Sequence, residues 1–86
     1  MRVEVLKALA DPYRLQILEM LSPAVRCNCH LQDELDIAPN LLSYHLKVLR
    51  EAGLIEGTKR GRWIDYSLTE QAVGAIAAAL PERLRS

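Results

Sequence analysis

Cys27-Asn28-Cys29-His30 places two thiols and an imidazole within four consecutive residues. As thiolates the cysteines are soft donors suited to soft, thiophilic ions. The start of a helix favours that charged form, because the positive end of the helix dipole stabilises an anion. If the segment is regular helix, positions i and i+2 point about 200° apart, so one ion takes both thiolates only when the first turn unwinds. Such unwinding couples ligation to whatever the helix supports. His30 is the available third ligand, with a small thiol or water as the alternative. Two other readings stand beside metal binding: thiols that sense an oxidant or sulfide, although a disulfide across one residue closes a small ring, and cysteines with no chemical role.

A second set of residues follows. At about 100° per residue, a helix gathers Asn40, Ser43, Tyr44, Lys47, Arg50 and Glu51 on one face and Leu41, Leu42, Leu46, Val48 and Leu49 on the other. A basic turn, Lys59-Arg60-Gly61-Arg62, comes soon after. One side anchors in a core and the other is free to meet a DNA groove. The N-terminal residues of such a helix reach base edges, which makes Asn40, Ser43, Tyr44 and Lys47 the candidates, Asn40 foremost. Lys47 and Arg50 suit phosphates, while Lys59, Arg60 and Arg62 suit an adjacent groove or backbone. The alternative is that these are ordinary solvated charges. His45 falls in the middle of the apolar face beside Leu42 and Leu49, and reads as a hydrogen-bonded packing residue. The net charge of the chain is zero, yet residues 37 to 63 carry Lys47, Arg50, Lys59, Arg60 and Arg62 against Glu51 and Glu56, a local excess of +3. Phosphate binding needs that local surface, not a basic total.

The elements that must hold these residues follow from local signals. A first helix is expected over about 2–10 with Val3, Leu6, Leu9 and Ala10 as its apolar stripe. Asp11 is a good N-cap and Pro12 a good first helical residue, so a second helix runs from Pro12 to about Leu21, burying Leu15, Ile17, Leu18 and Leu21, until Ser22-Pro23 ends it. A third helix covers about 28–35. Asp36-Ile37-Ala38 turns into the fourth, about 39–53, with Pro39 at its start and Gly53 as its C-terminal cap. Residues 54–58 and 63–68 read as two strands around the Gly61 turn. Thr69 caps a last helix over about 70–80. The order, α-α-α-α-β-β-α, is mainly helical with a β-hairpin wing: one winged helix-turn-helix domain over residues 1–86, with the wing at about 54–68.

Nearly the whole chain resembles the ArsR/SmtB family of bacterial metal-responsive repressors. The likeness rests on Ala8-Leu9-Ala10-Asp11-Pro12-Tyr13-Arg14-Leu15-Gln16-Ile17-Leu18, on Leu42-Ser43-Tyr44-His45-Leu46-Lys47-Val48-Leu49-Arg50-Glu51-Ala52-Gly53-Leu54, and on Gly61-Arg62 followed by Tyr66-Ser67-Leu68. The resemblance implies a homodimer that represses by sitting on double-stranded operator DNA and leaves it when an effector binds. Cys27-x-Cys29 aligns with the segment that opens the third helix in the family's thiolate-type sensors, which implies arsenite, antimonite, cadmium or lead as effector. Family members often add a cysteine from the same helix, where this chain has Gln32, or from an N-terminal arm of the partner subunit, for which the sequence begins too close to the first helix. The family also usually starts the recognition helix with a hydroxyl cap. Ala38-Pro39 replaces it, so the operator sequence does not carry over.

The terminal helices supply the expected partner surface. Val3, Leu6 and Ala10 with Ala72, Val73, Ile76, Ala77 and Leu80 give more apolar face than one small core needs, and small Ala residues permit close packing. An isologous dimer would bury both helices and set two recognition helices about 34 Å apart; the alternative is that both faces only close the monomer core. Eighty-six residues, half of them apolar, suffice for one small core that oligomerisation commonly supports.

Other classes are disfavoured. Ser43 and His45 diverge on a helix, no Gly-rich phosphate loop occurs, and no carboxylate pair sits in an apolar setting, so an enzyme is not expected, nor an organic cofactor. A metal site between the last helices is not expected, because residues 70–86 contain no His or Cys and only Glu70 and Glu82 as carboxylates. No run approaches the roughly 18 apolar residues of a membrane span, and no signal peptide is evident. A cytoplasmic chain with reduced cysteines is the expectation.

Overall fold

A computed structural model describes residues 3–85; Arg2, which opens the expected first helix, lies outside them. The elements run α1 (Val3–Leu9), α2 (Pro12–Leu21), β1 (Arg26–Cys27), α3 (Asn28–Leu35), α4 (Pro39–Glu51), β2 (Ile55–Arg60), β3 (Trp63–Leu68), α5 (Ala72–Ala79) and α6 (Glu82–Arg85). This is a winged helix-turn-helix.

Local chemistry sets most boundaries. The Asp11 carboxylate accepts from the Tyr13 and Arg14 amides at 2.8 and 3.2 Å, capping α2 ahead of Pro12. Asp36, at φ 50°, ends α3 in the left-handed conformation. The Gln32 amide donates to the Ile37 carbonyl and holds the turn into α4. Gly53, at φ 77°, ends α4, with the Leu54 amide returning to the Leu49 carbonyl at 3.1 Å. Gly61, at φ 61°, sits between the paired Arg60 and Trp63 and supplies the left-handed residue that a two-residue hairpin turn of type II′ requires.

Four expectations need correction. The buried stripe of α1 is Val5 and Ala8, while Val3 is 52% exposed and Ala10 is exposed; α1 carries two apolar arcs, and the one without Val3 turns inward. Leu15 and Leu41 are likewise exposed. Thr69 does not cap the last helix: its hydroxyl donates to the Gly53 carbonyl at 2.8 Å, pinning the end of the wing to the end of α4, and α5 starts at Ala72 with no side-chain cap. Ala72 does not belong to an open face but is buried, as is Ala79. Two short elements, β1 and α6, were not foreseen.

The three strands lie in the order β1-β3-β2, all antiparallel. Cys27 pairs with Asp65 and Arg26 with Tyr66 on one side of β3, while Thr58 pairs with Asp65 and Gly57 with Tyr66 on the other. A single core runs through all the longer helices, with Val5, Ile17, Leu31, Leu49 and Leu54 fully buried. Leu42, Leu46 and Leu49 fix the inner face of α4 in it.

Candidate DNA interface and cysteine turn

Burying Leu42, His45, Leu46 and Leu49 leaves Asn40, Ser43, Tyr44, Lys47 and Arg50 exposed on the opposite face of α4. Tyr44 is 56% exposed, a large amount for an aromatic ring in a small domain. Ala38 contributes no side-chain cap to the helix start; its carbonyl instead accepts from the Leu41 and Leu42 amides, each at 3.0 Å. Arg50 donates a long, 3.5 Å bond to the Tyr66 hydroxyl, which ties the last turn of the helix to β3.

At the wing, Lys59, Arg60 and Arg62 are all exposed, but they are not equivalent. Arg60 holds the Asp65 carboxylate through two bonds, Nε to Oδ2 at 2.7 Å and Nη2 to Oδ1 at 3.1 Å. That bidentate contact keeps the Asp65 carboxyl below the usual carboxylate range and raises the Arg60 guanidinium. The Arg62 guanidinium lies 6.0 Å from the centre of the Trp63 ring. Lys59 and Arg62 therefore project as the wing's cations, while Arg60 is partly neutralised by Asp65 of the neighbouring strand.

The cysteine turn departs from the helical picture. Cys27 is not in the helix: it is the extended cap residue of α3, at φ −70° and ψ 151°. Its sulfur consequently turns back over the helix end, accepts from the Cys29 amide at 3.0 Å and is joined to Cys29 in a disulfide, with the two Cα atoms 5.2 Å apart. The conflict expected for positions i and i+2 of a regular helix does not arise, because the two sulfurs converge without unwinding α3. His30 does not join them. It is exposed, and among the described residues no three His, Cys, Asp or Glu side chains gather into a metal-holding group.

What the turn touches was not anticipated. The Asn28 carboxamide, between the cysteines, accepts from the Ile64 amide of β3 at 3.2 Å, and Cys27 pairs directly with Asp65, the residue that holds Arg60. The cysteine pair is thus built onto the wing as well as onto α3. A polar residue at the first helical position, free to reach a backbone donor, was the available signal.

The family description "bacterial regulatory protein, arsR family" matches residues 11–57, more than half of the chain. The chain belongs to the ArsR family. This regulator is 38% identical over 71 residues to the arsenical resistance operon repressor of Bacillus subtilis, which spans 81% of this chain and 68% of that protein. Its fold matches a crystal structure of an ArsR family transcriptional regulator, RHA00566, with a TM-score of 0.85 at 28% identity over 95% of this chain and 84% of that one. HlyU from Vibrio cholerae matches with a TM-score of 0.77 at 34% identity over 95% and 88% of the two chains; it has also been solved in a reduced form. The family is one of DNA-binding transcriptional repressors and not of enzymes. No described helix is long and apolar enough to cross a membrane.

Proposed function

We propose that this ArsR-family repressor acts as a homodimer that holds operator DNA with Asn40, Ser43, Tyr44, Lys47 and Arg50 of α4 and with Lys59, Arg60 and Arg62 of the wing, and releases it when a thiophilic metal or metalloid engages Cys27 and Cys29. One observation carries the effector assignment: the extended backbone at Cys27 brings two soft sulfur donors together at the junction of α3 and the wing. Reduced to thiolates, Cys27 and Cys29 would hold arsenite, antimonite, cadmium or lead, and a small thiol or water would complete a three-coordinate set, since His30 stands apart. The route to DNA is short. Any change in the Cys27–Cys29 spacing acts on Asp65 across the β1–β3 pairing and on Ile64 through Asn28, and so on β3, the strand that pairs with the one carrying Lys59 and Arg60 and whose Asp65 holds Arg60.

The bonded sulfurs favour a second reading, in which the pair itself is the sensor. Two thiols then give up two electrons and two protons to a peroxide or an exchanging disulfide and become the bond seen here. The resemblance to HlyU, known in a reduced form, supports this reading as the name of the Bacillus relative supports the first.

Dimerisation is supported by the uncovered apolar surface. Val73 is 76% exposed, and Leu6, Ala10, Ile76, Ala77 and Leu80 are at least partly open. A groove of about 470 Å³ lined by Leu9, Leu15, Leu18, Leu68, Val73 and Ile76 runs between α1, α2 and α5.

Titration of the reduced chain on promoter DNA separates the readings. Under the metal reading, arsenite or cadmium produces ultraviolet thiolate-to-metal absorbance together with DNA release, and Cys27→Ser, Cys29→Ser abolishes both. A double variant that still releases DNA on metal addition sinks it. Under the redox reading, peroxide releases DNA without added metal and dithiothreitol restores binding.

A further inference from the structure

A polar ring on the buried face of a recognition helix must be met by partners, because an unpaired buried polar group is costly. His45 is 4% exposed, and its principal partner is Arg14 of α2. Each of the three guanidinium nitrogens of Arg14 has a different acceptor: Nε donates to the Ala8 carbonyl at 2.8 Å, Nη2 to the Lys7 carbonyl at 3.1 Å, and Nη1 to His45 Nδ1 at 3.0 Å. The first two acceptors lie in the last turn of α1. A guanidinium carries only donors, so Nδ1 is the acceptor and the ring proton sits on Nε2. That nitrogen faces Asp11, whose Oδ1 is 3.9 Å away and caps α2 at the same time. The ring is also near two tyrosines, with centroids 5.6 Å from half-buried Tyr13 and 5.4 Å from Tyr44. Tyr44 is the exposed aromatic of the proposed DNA face.

We propose that Arg14 is a positioning residue for DNA recognition. Its planar fork locks the C-terminal end of α1 to the recognition helix through His45, and the fixed His45 ring sets how Tyr44 and its neighbours meet the duplex. The proposal rests on the reading of α4 as the DNA-reading helix. It adds that the geometry of α4 is set from α1, a helix that touches no DNA in that reading. Three acceptors on two other elements cannot be served by a charge at one point, so lysine keeps the charge at position 14 but not the fork. Phosphate attraction depends mainly on the cations of α4 and the wing and survives a loss of alignment, whereas base readout does not.

The test uses the full chain with two probes: a duplex that the native protein enriches from a random-sequence library, and unselected random duplex. Arg14→Lys is expected to keep its circular dichroism spectrum and to bind random duplex within about twofold of native, while losing about tenfold or more on the enriched duplex, the size expected for a lost charged hydrogen bond. His45→Leu should behave the same way. His45→Asn, whose amide can present an acceptor near the Nδ1 position, should recover most of the loss, and combining His45→Leu with Arg14→Lys should add little to either alone. Folded Arg14→Lys and His45→Leu proteins that bind the enriched duplex like native overturn the proposal, as do equal losses on both probes or a His45→Asn protein no better than His45→Leu. Should Arg14→Lys fail to fold, the His45→Asn and His45→Leu pair decides alone. A native chain that enriches no duplex overturns the DNA-reading surface itself, and this proposal with it.

Discussion

Asp65 does three things at one position of β3: it pairs with Cys27 on one side, pairs with Thr58 on the other, and holds the Arg60 guanidinium. A carboxylate gripped by a bidentate arginine stays ionised to lower pH than a free one. Because the folded-state value is lowered, the Arg60–Asp65 contact is fully present above the ordinary carboxylate range, about pH 4, and is lost only as pH falls through the depressed Asp65 value. A carbon-detected NMR titration should therefore find the Asp65 carboxyl titrating below the ordinary aspartate range, and Arg60→Gln should raise it. Asp65 titrating in the ordinary aspartate range in the native chain would mean that Arg60 is not held as described and is as available to phosphate as Lys59. At the same scale Cys27 shows how far one backbone conformation reaches. An extended residue at a helix cap converts two side chains that would diverge into a converging pair.

The wing shows a similar dependence at the scale of elements. Gly57 pairs with Tyr66 across the hairpin, and a Cβ at that position would lie 2.9 Å from Tyr66 Cε1 and 3.0 Å from Ile64 Cγ2. The buried Tyr66 ring thus lies over bare backbone, and the ring is in turn what Arg50 reaches from α4. Gly57→Ala should cost about 1–3 kcal/mol of stability in urea unfolding, the usual penalty of overpacking; a variant as stable as native would show that the ring yields freely. The elements legible in the sequence are those with local causes. Pro12 behind Asp11, Pro39 at the start of α4, Gly53 at its end and Gly61 at the hairpin turn each fix a dihedral or satisfy a helix end within a few residues. What stayed hidden depends on distant partners. Arg26 and Cys27 form a strand only because β3 lies beside them, Thr69 gives its hydroxyl to the carbonyl of Gly53 instead of to a helix start, and the choice between the two apolar arcs of α1 is made by α2 and α5. For the candidate site, the exposed residues of α4 could be read from periodicity. Arg14 and Asn28 could not, because their partners are 31 and 36 residues away in sequence, nor could Asp65, which meets Cys27 only across the β1–β3 pairing. His45 on an apolar face was the sign that a partner was needed, but not of which one.

For the whole molecule, the uncovered apolar arcs on α1 and α5 are the surface on which the proposed dimer would form. Replacing Val73, 76% exposed, by Asp should leave the monomer fold intact, since the residue contributes little to the core, yet shift the chain toward monomer in sedimentation experiments. Operator affinity should fall by at least about tenfold as the gain from linking two half-sites is lost. Val73→Asp that remains a dimer would place the interface elsewhere. Such an assembly also has to avoid unwanted growth, and the wing, a thin exposed hairpin, is where that hazard concentrates. An open strand edge is a template on which another chain's strand can add. On one side of the wing the two-residue β1 occupies β3 near its middle and is too short to extend a ladder; on the other, the outer strand β2 carries Lys59 and Arg60 along its edge. The strand that joins the cysteines to the wing thus also closes off part of it, allowing a hairpin proposed to lie against DNA to stay exposed in its absence without seeding sheet-to-sheet aggregation.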